Sequence, residues 1–500
     1  MNVVKKTRWS NAFRLSGWAL AASLAACTSS VGPDYRQPQP DMPAYWTETP
    51  GTISTATEST QHRWWTLFRD PTLDSLIARA AAANLDLRIA EARIREARAQ
   101  RRVTAAANSP SLGASGGYTN SGSSKNIPSG GVTQDLFRAG FDTNWEIDIF
   151  GRTRRQIEAA DASLAATVED HRHVLITLEA EVARNYLELR TNQQRLALAN
   201  DNLHIQEQTT VLVRNKFEMG LGGQLEVAQA EVQMALTKSE IPTLESAISQ
   251  AMHQLSLLLG QQPQTLKTEL AVAADIPPVP PQLPTTLPSE LLRQRPDIRA
   301  AERQLAAATA TVGTAIAELY PRFSLSALIG LQSTALPDLV AASSRFWSAG
   351  PTVQWSLFDG SRARAAIAIS EARRDQAQVT YEKTVLTALA ETENTLVAYA
   401  REQEKHRILG EAVAAGQQAA TIAKGQYAAG LTPFLNVLLS EAALYQSQDK
   451  LTQSDQRLAL DMVALYKALG GGWQTEVIAP VASLPGVGPK NRQEARNNNQ

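Results

Sequence analysis

The sequence predicts a mainly α-helical protein with a membrane β part, built by internal duplication. Four strands per chain contribute to a β-barrel, and long coiled-coil helices continue it. Three observations carry this reading. One pattern is used twice: Gly140 and Trp145 recur as Gly350 and Trp355, and Phe217, Gly220, Leu221, Leu225, Val227 and Glu231 recur at the same spacing of 210 as Tyr427, Gly430, Leu431, Leu435, Val437 and Glu441. Residues 137 to 148 alternate, with Phe137, Ala139, Phe141, Thr143, Trp145 and Ile147 set against Arg138, Gly140, Asp142, Asn144, Glu146 and Asp148, which makes one face apolar and the other wet. After Gly151 the period changes, and Val168, Leu175, Val182, Leu189, Leu196 and Leu203 fall on one seven-residue seam.

A duplication of this length implies two halves around one core. The formal net charge is −1, and a removable leader holding Lys5, Lys6, Arg8 and Arg14 makes the mature chain more acidic. Nothing in that balance attracts nucleic acid. His171, His173 and His204 are close in sequence but not at the spacing of a zinc or iron site, so neither metal nor catalytic residues are expected.

The leader, residues 1–26, has a basic start and an apolar run from Leu15 to Ala26 too short to span a bilayer, as in a secretory signal. It ends in Leu24-Ala25-Ala26-Cys27, which resembles a bacterial lipobox. By that resemblance the chain is cut before Cys27, its thiol and freed amine are acylated, and Thr28-Ser29 after it direct sorting to an outer membrane. No cofactor is expected apart from this covalent lipid. Residues 27–70, with Val31-Gly32-Pro33-Asp34-Tyr35 and Trp64-Trp65, should lie extended along the body.

Residues 71–270 form the first repeat. A helix runs from Asp70-Pro71 to Asn108, and Ser109-Pro110 ends it. Leu112, Ala114, Gly116 and Tyr118 make a weaker strand, paired through a Ser/Gly-rich loop with the alternating strand. The helix from Gly151 to Met219 spans roughly 100 Å at ~1.5 Å per residue. Gly220-Leu221-Gly222-Gly223 turns the chain, and 224–259 returns as a shorter helix. Residues 271–288, with Pro277, Pro278, Pro280, Pro281, Pro284 and Pro288, form an extended connector. The second repeat, 289–470, has the same order: a helix ending before Pro321, strands over 323–332 and 347–357, a helix from Ser361 to Ala428, a turn at Gly430-Leu431-Thr432-Pro433 and a return to Leu469. Residues 471–500 are a polar tail.

Each strand is long enough to cross a hydrocarbon layer at a tilt of about 45°. Four strands cannot close, and an open edge in lipid would strand its backbone donors and acceptors, so other chains must complete the sheet. Two chains would give eight strands and a filled barrel; three would give twelve and a lumen, which the polar faces favour. Arg138, Asp142, Asn144, Glu146 and Asp148 should face that water, and their one positive and three negative charges suggest a mild cation preference. The loops at 121–135 and 333–345 should lie outside the cell.

Together, the leader and lipobox, Val31 to Tyr35, Trp64-Trp65, Phe150-Gly151-Arg152, Arg295-Pro296-Asp297-Ile298, Phe358-Asp359-Gly360 and Tyr466-Lys467-Ala468-Leu469-Gly470-Gly471-Gly472-Trp473 resemble the outer-membrane efflux lipoproteins of the TolC superfamily. The resemblance covers nearly the whole chain. It implies a homotrimer with a twelve-stranded barrel and a twelve-helix periplasmic tunnel. It also implies a periplasmic adaptor and an inner-membrane pump, usually of the resistance-nodulation-division type, serving small-molecule efflux. By the same resemblance the gate lies at the two helix turns, where Gly220, Leu221, Gly430 and Leu431 meet the adaptor and Tyr427 is latched to Glu226. The positions that carry pore-ringing carboxylates in relatives are Asn436 and Leu439 here, so the acidic ring is missing. The other reading of Tyr427 is a core residue, as Phe217 would be in the first half.

Three other readings compete with this one. Gly113-Ala114-Ser115-Gly116-Gly117 has the letters of a hydrolase nucleophile elbow but sits in a strand that no helix follows. A periplasm-spanning structural coiled coil would need the heptads but not the amphipathic strands. An outlet for protein secretion fits the same superfamily.

Overall fold

The computed structural model describes residues 30–47, 54–55, 63–128, 130–279, 284–285 and 288–473. The leader, Cys27 and the tail beyond Trp473 lie outside the described residues.

The first repeat opens with α1 (Pro71–Ala83), where Asp70 accepts hydrogen bonds from the Thr72 and Leu73 amides at 2.8 and 3.1 Å and Pro71 supplies a pre-set first turn. The sequence predicted one helix to Asn108, but the chain breaks at Asn84 and restarts as α2 (Leu85–Ala106). The reason is local chemistry. Asn84 has ψ 137°, its Oδ1 caps the Asp86 and Leu87 amides, and its Nδ2 donates to the Leu258 carbonyl at 2.8 Å. A cap of this type is worth ~1 kcal/mol.

Strands β1 (Ser111–Gly122) and β2 (Thr133–Ile147) follow, then the long helix α3 (Arg152–Glu218) and its return α4 (Gln224–Leu258), which runs through Pro242. The second repeat gives α5 (Pro296–Ala317), β3 (Arg322–Ser333), β4 (Arg345–Gln354), α6 (Arg362–Ala428) and α7 (Phe434–Ala468). The duplication is carried into length: α3 and α6 have 67 residues each, α4 and α7 have 35 each.

The two hairpins join through β2 and β3 into one antiparallel sheet of order β1-β2-β3-β4. Its register puts Ser115, Gly140, Gly330 and Phe346 in one row across all four strands. Alternation in the sequence extended the last strand to Leu357, but β4 ends at Gln354. The Trp355 indole instead donates to the Leu319 carbonyl at 3.0 Å, as Trp145 does to Asn108 in the first half. Each tryptophan ties a strand end to the chain leaving the preceding helix.

The main core lies midway along the helices, where Trp64, Phe68, Leu73, Tyr186, Leu189, Tyr399 and Tyr466 are buried together. Trp64 stacks on Tyr466 at 5.8 Å, and Tyr186 donates to Asp70 at 2.6 Å. The predicted seam holds there, since Val182 and Leu189 are fully buried, but farther along α3 the buried positions shift to Ala199, Asn202, Gln206, Thr210 and Val213. That face is turned well away from the seam, by more than the ~20° per heptad that a straight helix drifts, and leaves Leu196 and Leu203 only half-buried.

Gly471, Gly472 and Trp473 belong to the body rather than to the tail assigned to 471–500. Trp473 lies under the guanidiniums of Arg172 and Arg299, at 4.5 and 5.1 Å, and donates to the Gln294 carbonyl. In the connector, 271–279 has no regular structure, and Arg190 fixes the Val272 carbonyl at 2.8 Å.

Candidate functional site

The two turns farthest from the sheet have the same local chemistry. Gly220 and Gly430 adopt φ 75° and 74°, a left-handed conformation open to glycine, while Leu221 and Leu431 each donate back to the helix at 2.8 Å to close it. Both leucines are exposed, at 74% and 79%. Behind the turns a second apolar cluster forms from Val213, Ala230, Ala423, Tyr427, Phe434 and Val437.

Tyr427 is the centre of this cluster. Its hydroxyl donates to Glu226 Oε2 at 3.3 Å, its ring packs on Phe434, and Lys216 covers it, with Nζ 4.0 Å from the ring centroid and 3.1 Å from the Tyr427 carbonyl oxygen. Burial first, then the Glu226 carboxylate, push the phenol up to about 12, so it stays a donor at neutral pH. Tyr427 is therefore both a packing residue and a bond between the hairpins. Its counterpart Phe217 is 43% exposed and is not core within the chain.

Asn436 and Leu439 do not join this contact. The Asn436 amide donates to Thr432 Oγ1 at 2.6 Å, and Leu439 is 59% exposed. Lys216 escaped the sequence reading because its partner is two hundred residues away. A legible signal was also missed: Arg214 and Glu231 pair at 2.5 Å, and Lys424 and Glu441, 210 positions later, pair at 2.7 Å. Farther back the hairpins are tied again, by Tyr445 donating to Glu240 at 2.6 Å and by Arg195 holding Asp449 at 2.6 Å.

On the sheet, Arg138, Asp142, Asn144 and Glu146 share one face. Arg138 donates to Gln332 at 3.2 Å and lies 5.4 Å from the Phe346 ring, whose edge rests over Gly330. Asp142 sits against Gly113, where a Cβ would come within 2.9 Å of its carboxylate. Asp148 is not on the strand. It accepts from the Arg154 amide at 2.8 Å and caps the start of α3. Glu146 faces Arg152 at 3.6 Å, and Arg152 also meets Glu318 at 3.0 Å. Two of the three acids counted along the sequence, Glu146 and Asp148, thus stand beside arginines. Ser115 stands opposite Gly140 in mid-strand, far from the geometry of a nucleophile elbow.

At the junction of sheet and helices the N-terminal segment crosses the body. Val31 donates to the Phe150 carbonyl, and buried Arg155 binds the Val31 and Gly32 carbonyls and Asp34 at 2.6 Å. Gly32 lies so close to Gly313 that a Cβ would come within 2.5 Å of its backbone, and Tyr35 donates to Glu302 at 2.7 Å. These contacts give the Val31 to Tyr35 motif its physical meaning.

The outer membrane efflux protein family matches residues 76–261 and 287–471, once in each half. The chain is similar to the "Cation efflux system protein CusC" of Escherichia coli O6:H1, at 31% identity over 462 residues, covering 92% of this chain and 99% of that one. It is equally similar to the "Probable outer membrane lipoprotein SilC" of Salmonella typhimurium, at 31% identity with 90% and 96% covered. Among solved structures, the outer-membrane channel OprN superimposes with a TM-score of 0.81 at 35% identity, over 89% of this chain and 100% of that one.

Proposed function

This chain belongs to the outer membrane efflux protein family and is an outer-membrane efflux channel; from that premise we propose that it works as a homotrimeric exit duct. In this reading it is anchored by lipid at Cys27, its helices stand in the periplasm, and it receives small toxic solutes from an adaptor and an inner-membrane pump of the resistance-nodulation-division type. The observation that carries the assembly is the sheet, in which, among the described residues, β1 and β4 each have a neighbour on one side only. In lipid those edges need partners, and three copies close twelve strands around a lumen lined by the polar face. Helices of 67 residues, each roughly 100 Å long, supply the reach towards an adaptor. A spacer would have no use for the amphipathic sheet.

The relatives' names, cation efflux and outer membrane lipoprotein, support solute export and the lipid anchor. Ser30 rests against Gly151, and the three residues back to Cys27 reach ~10 Å, which would set the acylated cysteine beside the junction of sheet and helices. The intact mass of the mature chain reads this directly, and an unmodified Cys27 would refute it.

Assembly is tested by edge crosslinking. Within one chain β1 and β4 are three strand spacings apart, ~14 Å, too far for a disulfide. Ser115→Cys combined in turn with Ser348→Cys, Gly350→Cys and Thr352→Cys should give, for at least one pair, a ladder ending at three chains in planar-bilayer-active protein. A ladder ending at two, or no linkage in any pair, overturns the trimeric barrel.

A further inference from the structure

The apolar face of the sheet carries a feature that conduction does not use. Arg345 stands opposite Leu331 in the register, so it shares the face of Ala139, Phe141 and Trp347 rather than that of Arg138 and Asp142. Its side chain has no ion pair or hydrogen bond among the described residues. Beside it lies a trough of about 620 Å³, within the ~300–1,000 Å³ range of single-ligand sites. Ala114 and Ala139 form its low floor, and Phe141, Ile329 and Trp347 its walls, these last three 55%, 63% and 77% exposed.

The level of the trough matters. Two positions farther towards the loops, Tyr118 and Phe137 pack with tilted rings, 33° apart and 4.8 Å between centroids, an aromatic pair of the kind that rings a membrane boundary. Near such a boundary a cation on the lipid face is tolerated, whereas at the bilayer centre it is costly. An unpaired guanidinium at the boundary, continuous with an apolar trough running inward, complements a molecule with an anionic head and acyl tails. Arginine also binds phosphate in a bidentate way that a lysine cannot. The loop end of the sheet points away from the helices, so the leaflet concerned is the outer one.

We propose that this trough seats one phosphate-bearing, multiply acylated glycolipid of the outer leaflet, with its phosphate on Arg345 and an acyl chain over Ala114 and Ala139. The assignment rests on the barrel reading given above. The test is native mass spectrometry of the full-length protein released from detergent, titrated with diphosphoryl lipid A, its dephosphorylated form and phosphatidylglycerol, with conductance measured on the same preparations. Wild type should retain diphosphoryl lipid A about ten-fold better than Arg345→Gln does. Ala139→Leu, which fills the floor, should weaken the phosphorylated and dephosphorylated glycolipids alike. Conducting channels that retain diphosphoryl lipid A equally in all three proteins overturn the lipid site alone, as does equal retention of phosphatidylglycerol by wild type. Absence of conductance in the wild type instead strikes the channel reading beneath it.

Discussion

The two halves of the molecule share lengths, turns and strand anchors, yet they divide the work unequally. At the helix turns the second half supplies Tyr427 and Phe434 to the buried cluster, where the first half has an exposed Phe217 and Gln224. The first half supplies Glu226, and the second has Asn436 in its place. At the start of the long helices, Gly151 and Ser361 both adopt left-handed φ, 80° and 71°. Gly151 is overlain by the N-terminal segment, since a Cβ there would come within 2.5 Å of the Ser30 hydroxyl oxygen, whereas Ser361 is exposed among the described residues. Duplication therefore preserves backbone geometry that a turn requires, and it lets side chains differ wherever one half must bind the other.

That contrast can be broken first at the helix starts. Gly151→Val combines a disfavoured φ with a collision against Ser30, and should cost about 3 kcal/mol or more, read as a lowered unfolding temperature together with proteolytic release of the N-terminal segment. Ser361→Val carries only the backbone strain and should cost clearly less. Equal losses in the two would mean that the crossing segment plays no part.

A smaller asymmetry lies in the paired charges. Lys424 neutralises a Glu441 that is only 7% exposed, whereas Arg214 and Glu231 are both open to water. Lys424→Met should destabilise by ~1–3 kcal/mol because it leaves a buried carboxylate unpaired, and Arg214→Met by ~0–0.5 kcal/mol. Chemical denaturation of the two variants gives the ranking, and its reversal would contradict the burial argument.

The smallest effect in energy is the most informative about gating. Tyr427→Phe removes one hydrogen bond, ~1 kcal/mol, and should raise the open fraction several-fold in single-channel recordings, as should Glu226→Ala. Phe217→Tyr, at the equivalent position, should do nothing. The pH dependence follows from the raised phenol. It stands above its ordinary value of ~10, so its contribution is complete below pH 10 and is lost as pH rises through about 12. Tyrosinate absorbance, wild type minus Tyr427→Phe, should show that late ionisation; a difference spectrum rising near pH 10 would mean the contact is not maintained.

Much of this architecture was legible because duplication repeats its own punctuation. Gly220 and Gly430 mark the turns, Trp145 and Trp355 mark the strand ends, and alternation fixes which side of β2 is wet. The break at Asn84 was hidden because alanine-rich helix flanks it on both sides, and its decisive partner is the Leu258 carbonyl. Asp148 kept the parity of the strand while its bond to Arg154 belongs to the following helix. Lys216 over Tyr427, and Arg345 beside its trough, depend on packing between segments two hundred residues apart, or on a register that no local pattern states.

The tie made by Tyr445, Glu240, Arg195 and Asp449 also sets a mechanical ratio. Asp449 lies about 20 Å back from the turn along α7, so if the hairpins pivot at that tie they act as a lever with its fulcrum above the tip. A swing of about 15° over that arm displaces the end by roughly 5 Å. Such a lever would turn a small rotation at the fulcrum into that travel at the far end, and shortening the arm would trade travel for force.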